Sequence, residues 1–288
     1  MDFTNGKTLL ELCQKDKLAI SEEMLLRETE ISGKSRTEII EKMAYSYSVM
    51  KDAARRAIGG GIRSMGGLIG GESHLLSEYG NKGRTVSGNI TARAAAYAIG
   101  VLEVNASMGL IVAAPTAGSS GVIPGTFLAV QEEYGFSDEQ MTSALFNAGA
   151  VGYLITRNAT VAGAEGGCQA EVGAASAMAA SALTELMGGS PEQCLGAAAC
   201  ALANLLGLVC DPVGGLVEAP CQNRNAVGAS NALLCADMAL SGVTHLIPFD
   251  EMVDVMYRVG RSLPMELRET ALSGCAACPT ACRLCGKP

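Results

Sequence analysis

Ser190-Pro191-Glu192-Gln193, followed by the apolar run from Leu195 to Val209, decides the fold class. Ser at an N-cap and Gln three residues later can exchange hydrogen bonds with the backbone that opens a helix, and Pro at the first helical position gives up no needed donor. The run after it is rich in Ala and Gly and is interrupted by Asn204. It is shorter than the about 18–20 apolar residues that a membrane span requires, so it reads as a buried core helix. The same signature recurs outward in both directions. Ser137-Asp138-Glu139-Gln140 precedes Met141-Thr142-Ser143-Ala144-Leu145, and Ser35-Arg36-Thr37-Glu38 opens a helix predicted to run to about Ile58. Periodicity predicts further helices near 91–112, 169–187, 225–240 and 250–262, while alternating strand-like runs are scarce. The expected fold is all-α, a compact multi-helix catalytic domain punctuated by Gly-rich loops.

Composition agrees with close helix packing. Of 288 residues, 49% are hydrophobic but only 4% aromatic, Trp is absent and 35 are Gly, so apolar volume comes from Ala, Leu, Val and Met. Small side chains let helix backbones approach one another. A formal net charge of −8 argues against nucleic acid as a partner, because phosphate binding needs clustered Lys and Arg. Met1-Asp2-Phe3-Thr4 lacks the basic and apolar segments of a secretion signal, which predicts a soluble cytoplasmic protein with no membrane association. No convincing linker cuts the chain. Residues 1–288 are read as one domain, with charge concentrated in 1–80, an apolar Cys-bearing core in 90–270, and a Cys-rich tail in 275–288.

Eleven Cys in a chain of this kind are either small core residues or ligands for a soft metal centre. Cys13, Cys194, Cys200 and Cys235 lie on apolar helical stretches and are assigned to the core. Cys168, Cys210 and Cys221 instead sit beside Gly, Pro or Asp, in Gly166-Gly167-Cys168-Gln169, Val209-Cys210-Asp211-Pro212 and Ala219-Pro220-Cys221-Gln222. Irregular backbone at helix ends can aim sulfur at a shared centre, although spacing alone leaves a metal role and a structural one open. The loop Thr116-Ala117-Gly118-Ser119-Ser120-Gly121 offers hydroxyls and N–H groups that suit either a carboxylate or an N-cap. Arg157-Asn158 and Arg224-Asn225 flank the Cys segments, either to fix a substrate or as solvated and ion-paired residues. Glu165 and Glu171 bracket Cys168 and are expected at most to support it from behind. His74 and His245 are read as structural.

These segments, with Ala114-Pro115-Thr116-Ala117-Gly118-Ser119-Ser120-Gly121-Val122-Ile123-Pro124-Gly125, resemble the catalytic domain of iron–sulfur-dependent L-serine dehydratases, and more narrowly the α subunit of the two-subunit branch. The resemblance runs from Leu9-Leu10-Glu11-Leu12-Cys13 to Arg268-Glu269-Thr270. It implies a buried [4Fe–4S] cluster on Cys168, Cys210 and Cys221, no pyridoxal phosphate, L-serine as substrate and a separate β subunit as partner. Three thiolates on a cubane leave one iron open to act as a Lewis acid on the serine hydroxyl. Catalytic roles are expected for Thr116, Ser119 and Ser120, with the base supplied by this loop or by the β subunit. Substrate contacts are expected from Gly118, Gly121, Asn158, Arg224 and Asn225. Some relatives carry Asn where this chain has Ala117, so that amide is missing here.

The tail Cys275, Cys278, Cys282 and Cys285 forms a C-x2-C-x3-C-x2-C run that matches neither zinc ribbons nor ferredoxins in spacing. It is read as a cap for the open iron, as a second metal site, or as an oxidisable tail. Two other readings stand beside the dehydratase: a cluster-bearing electron-transfer or scaffold protein, and a related lyase acting on cysteine or threonine.

Overall fold

Glycine and alanine set the distances in this molecule. In the computed structural model, which describes residues 2–286, a β-carbon on Gly121 would lie 2.1 Å from the carbonyl oxygen of Ala98, and one on Gly125 would lie 2.7 Å from that of Ala94. Met1 and the last two residues of the tail, Lys287 and Pro288, lie outside the described residues.

The N-terminal half holds α1 (Gly6–Asp16), α2 (Ile20–Ser32), α3 (Arg36–Ile58), α4 (Glu72–Gly80), α5 (Asn89–Ala106), α6 (Val122–Tyr134) and α7 (Asp138–Asn158). After these come the short α8 (Gly163–Gly166), α9 (Ala174–Leu186), α10 (Pro191–Asn204), α11 (Cys221–Leu240), α12 (Phe249–Ser262) and α13 (Pro279–Leu284). Among the described residues the only β pairing is an isolated parallel bridge between Cys210 and Arg268. The all-α expectation holds.

All three predicted capping boxes are present. Ser35, Ser137 and Ser190 each accept from the N–H three residues on, and Glu38, Gln140 and Gln193 reach back to the cap N–H. The helix α9 is central: residues 174–184 are all buried, and α6, α7, α10 and α11 pack around it. Cys13, Cys194, Cys200 and Cys235 are buried in this core, as their apolar context predicts.

Two boundaries differ from the sequence expectation. The helix predicted to reach residue 112 ends at Ala106. Met108 takes φ +63° and the N–H of Gly109 turns back to the carbonyl of Val104, so the apolar Leu110-Ile111-Val112 continues as irregular chain. The helix predicted from residue 225 begins at Cys221, which makes that Cys its first residue. No helix of the described residues is long and apolar enough to cross a membrane.

Candidate functional site

Each of the three Cys singled out in the sequence stands where regular helix is interrupted. Cys168 directly precedes a π-helical turn, Gln169–Gly173, that leads into α9. Gln169 pins this turn from both sides: its amide nitrogen donates to the Met256 carbonyl, and its oxygen accepts from the N–H of Gly207. Cys210 is fixed by its bridge to Arg268, donating its N–H to Leu267 and accepting from the N–H of Glu269. Cys221 opens α11.

All three thiols are buried, and Cys168 interacts with each of the other two. A hydrogen bond with Cys168, then burial, then the charges of Cys168 and Glu171 hold the Cys210 thiol far above its ordinary value. Burial pushes the Cys221 thiol up to about 12, with Cys168 adding to the effect and the Arg224 guanidinium opposing it. No three His, Cys, Asp or Glu side chains among the described residues converge on the position of a single ion. Three buried thiols on three separate segments fit a larger soft centre instead, because a cubane takes its thiolates at separate corners. Glycine lets these segments close in: a β-carbon on Gly163 would lie 2.5 Å from Glu171 Oε2 and 3.2 Å from Cys210 Sγ.

Arg224 and Asn225 hold the site together. The guanidinium of Arg224 donates to the Val209 carbonyl at 2.8 Å and pairs with Asp211 at 2.7 Å, which ties the start of α11 to the Cys210 segment. Asn225 is fully buried. Its amide nitrogen donates to the carbonyls of Gly118 and Cys221, and its oxygen accepts from the N–H of Gly121. The Thr116–Gly121 loop is thereby fastened to the residue that carries the third thiol.

Within that loop, Thr116 donates its hydroxyl to Glu171 at 2.7 Å. Ser119 and Ser120 are fully buried, and their hydroxyls bond within the loop, Ser119 with Thr116 and Ser120 with the Ala117 carbonyl. Ala117 and Gly118 begin a single 3-10 turn, so their N–H groups have no partner inside it. Gly121 is pressed against Ala98, which gives its lack of a side chain a packing reason.

Asn158 is not drawn into this group. Its amide donates to the carbonyls of Thr4 and Leu154, closing the end of α7 against the N-terminal segment. His74 and His245 bond to the carbonyls of Ile58 and Ile247 and serve local structure.

Three carboxylates that sequence reasoning undervalued or passed over organise the surroundings. Glu171 reaches both Thr116 and, at 3.9 Å, Cys210 Sγ, and burial raises its carboxyl above the ordinary range. Glu218 is buried and accepts from Ser64 Oγ and from the N–H groups of Gly66 and Leu68, so the Gly-rich segment 64–71 wraps a carboxylate three residues before Cys221. Asp211 accepts from the N–H of Cys275 at 2.6 Å, docking the tail beside the Cys210 segment. Cys285 lies against Gly214, and the four tail thiols do not converge on one point. A Gly or Pro flags the bend at each of these places, but the partner is set only by the fold.

Residues 15–276 match the family described as "Serine dehydratase alpha chain". The chain is 49% identical over 278 residues to the probable L-serine dehydratase, alpha chain, of Bacillus subtilis, which covers 96% of this chain and 92% of that one. Over 278 residues it is 43% identical to the L-serine dehydratase, alpha chain, of Peptoniphilus asaccharolyticus, covering 96% and 95%. Against the L-serine dehydratase of Streptomyces coelicolor it is 37% identical over 286 residues, taking in 95% of this chain but only 60% of that longer protein. With the match spanning nearly the whole length, the chain belongs to the serine dehydratase alpha chain family.

Proposed function

We propose that this chain is the cluster-bearing subunit of an iron–sulfur-dependent lyase that converts L-serine to pyruvate and ammonia. One observation carries the reading: three buried thiols from three segments adjoin a hydroxyl-bearing loop tied to them through Glu171 and Asn225. Cys168, Cys210 and Cys221 hold a [4Fe–4S] cluster, and the enzyme uses no pyridoxal phosphate. When bound, the cluster supplies Lewis acidity toward the serine hydroxyl.

The chain's own residues do the rest of the positioning. Thr116 and the N–H groups at Ala117 and Gly118 face the substrate carboxylate, with Gly121 allowing the loop its close seat on α5. Arg224 and Asn225 keep the loop, the Cys210 segment and α11 in register. A base removes the Cα proton as the hydroxyl leaves with a proton as water, giving aminoacrylate, which tautomerises to an imine. Water then adds to the imine and ammonia leaves, so the net reaction is serine to pyruvate plus ammonia. The base comes from the Thr116–Ser120 loop or from a separate β subunit. The longer relatives support such a partner, since the chain accounts for only 60% of the Streptomyces coelicolor protein. The chain works as one catalytic unit with an appended Cys-rich tail, in the cytoplasm, where reducing conditions keep thiolate ligands intact.

The test is release of pyruvate and ammonia from L-serine, D-serine, L-threonine and L-cysteine by anaerobically reconstituted chain, with and without its β subunit. Turnover on L-serine well above the other three supports the reading. Cysteine turnover in excess of serine would replace it with the related lyase.

A further inference from the structure

Gly118 and Gly163 are 45 residues apart in sequence, yet the same carboxylate fills the space where each would carry a β-carbon. A β-carbon on Gly163 would lie 2.5 Å from Glu171 Oε2, and one on Gly118 would lie 2.9 Å from Oε1. Neither glycine has the positive φ that would by itself require glycine, so room for Glu171 accounts for both. The carboxylate divides its two oxygens: Oε1 accepts the Thr116 hydroxyl at 2.7 Å, and Oε2 faces Cys210 Sγ at 3.9 Å. It is delivered there by the π-helical turn after Cys168, a distortion of the helix often found at functional sites. Glu171 therefore touches the segments of two thiols and the loop, while Asn225 ties the same loop to the third.

We infer that Glu171 is the positioning residue that sets the Thr116–Gly121 loop at its working height over the three thiols, through its bond to Thr116. The inference rests on the serine dehydratase reading above and adds a residue role to it. Glu171 acts through Thr116 and makes no contact with substrate.

The experiment compares Glu171→Ala, Glu171→Gln, Thr116→Val and the double variant Glu171→Ala/Thr116→Val in anaerobically reconstituted enzyme with the β subunit present. Backbone amide exchange in residues 114–121 is measured on the same chains before reconstitution. In Glu171→Ala the KM for L-serine rises about tenfold, the scale of one lost hydrogen bond to a charged group, with iron content and kcat held within about twofold. Glu171→Gln keeps an acceptor for Thr116 and restores KM. Thr116→Val loses at least as much as Glu171→Ala, and adding Glu171→Ala to it brings no further loss, because the bond is already gone. Loop amides exchange faster in Glu171→Ala and Thr116→Val but not in Glu171→Gln.

Additive losses in the double variant, equal damage from Gln and Ala, or unchanged loop exchange in Glu171→Ala would each overturn the inference. If the unmodified enzyme fails to turn over L-serine, the functional reading falls. The exchange comparison still decides whether Glu171 holds the loop.

Discussion

Cys221 illustrates how a single residue acquires a role from its position. It is the first residue of α11, so its backbone is irregular on one side and helical on the other, and its thiol lies among Cys168, Glu171 and Arg224. Replacing Cys168, Cys210 or Cys221 by Ser is expected to abolish retention of iron and sulfide on anaerobic reconstitution. Cys200→Ser, in the core beside Asn204, is expected to keep both. Iron and sulfide assays on the purified variants check this. That the three Cys stand at bends is legible in the sequence because Gly, Pro and Asp mark those bends locally, while their part as ligands comes from the family resemblance. Glu171 and Asp211 were not legible, because their partners Thr116 and the N–H of Cys275 lie 55 and 64 residues away. Asn158, expected from its place in an Arg-Asn pair to contact substrate, has its amide on the carbonyls of Thr4 and Leu154 at the end of α7, partners that the pair itself does not name.

The approach of the helices sets where the loop can sit. Gly121 and Gly125 let α6 rest on the Ala94 and Ala98 carbonyls of α5, and Gly121 also donates to Asn225. Gly121→Ala is expected to push the start of α6 off α5, destabilising the chain by about 1–3 kcal/mol as overpacking does and raising the KM for L-serine; unfolding and steady-state kinetics measure the two effects. Ser190→Ala removes one half of a capping box and is expected to cost about 1 kcal/mol in urea unfolding with no change in KM. The boxes were readable because their partners stand three residues apart. The end of α5 was not, because Leu110-Ile111-Val112 continues the apolar pattern after the helix has stopped.

A buried acid on α5 adds a pH dependence at this scale. Burial holds the Glu103 carboxyl up at about 7 against an ordinary 4.5, while its oxygen accepts from the N–H groups of Gly71 and Ser73. Its neighbour Glu72 is also pushed up by burial but is held below its ordinary value by the N–H of Gly70 and other donors. From pH 4.5 to about 7 the unfolded chain has released the Glu103 proton and the folded chain keeps it, so stability falls with rising pH across that window and levels off above it. Glu103→Gln, which preserves the acceptor, is expected to remove that slope in urea unfolding across about pH 5 to 8.

At the scale of the whole molecule, the site is built from segments spread between Thr116 and the tail, and no short piece of the chain contains it. All-α architecture was legible from periodicity and caps, since these are local. The seating of the tail on Asp211 was not, since nothing within the tail's own sequence names that acceptor. The tail Cys are read from sequence as a cap for the open iron, a second metal site or an oxidisable run; in the fold Cys278 caps α13, Cys285 lies against Gly214, and no three of the described thiols gather at one ion position.

Cys168, Cys210 and Cys221 are proposed to carry a cluster with one iron left for the substrate. Mössbauer spectra of iron-57-reconstituted enzyme, recorded anaerobically with and without L-serine, test it most directly. About a quarter of the iron signal is expected to change on adding L-serine while the rest stays fixed. Spectra of an intact cluster in which no iron responds to saturating L-serine would contradict it.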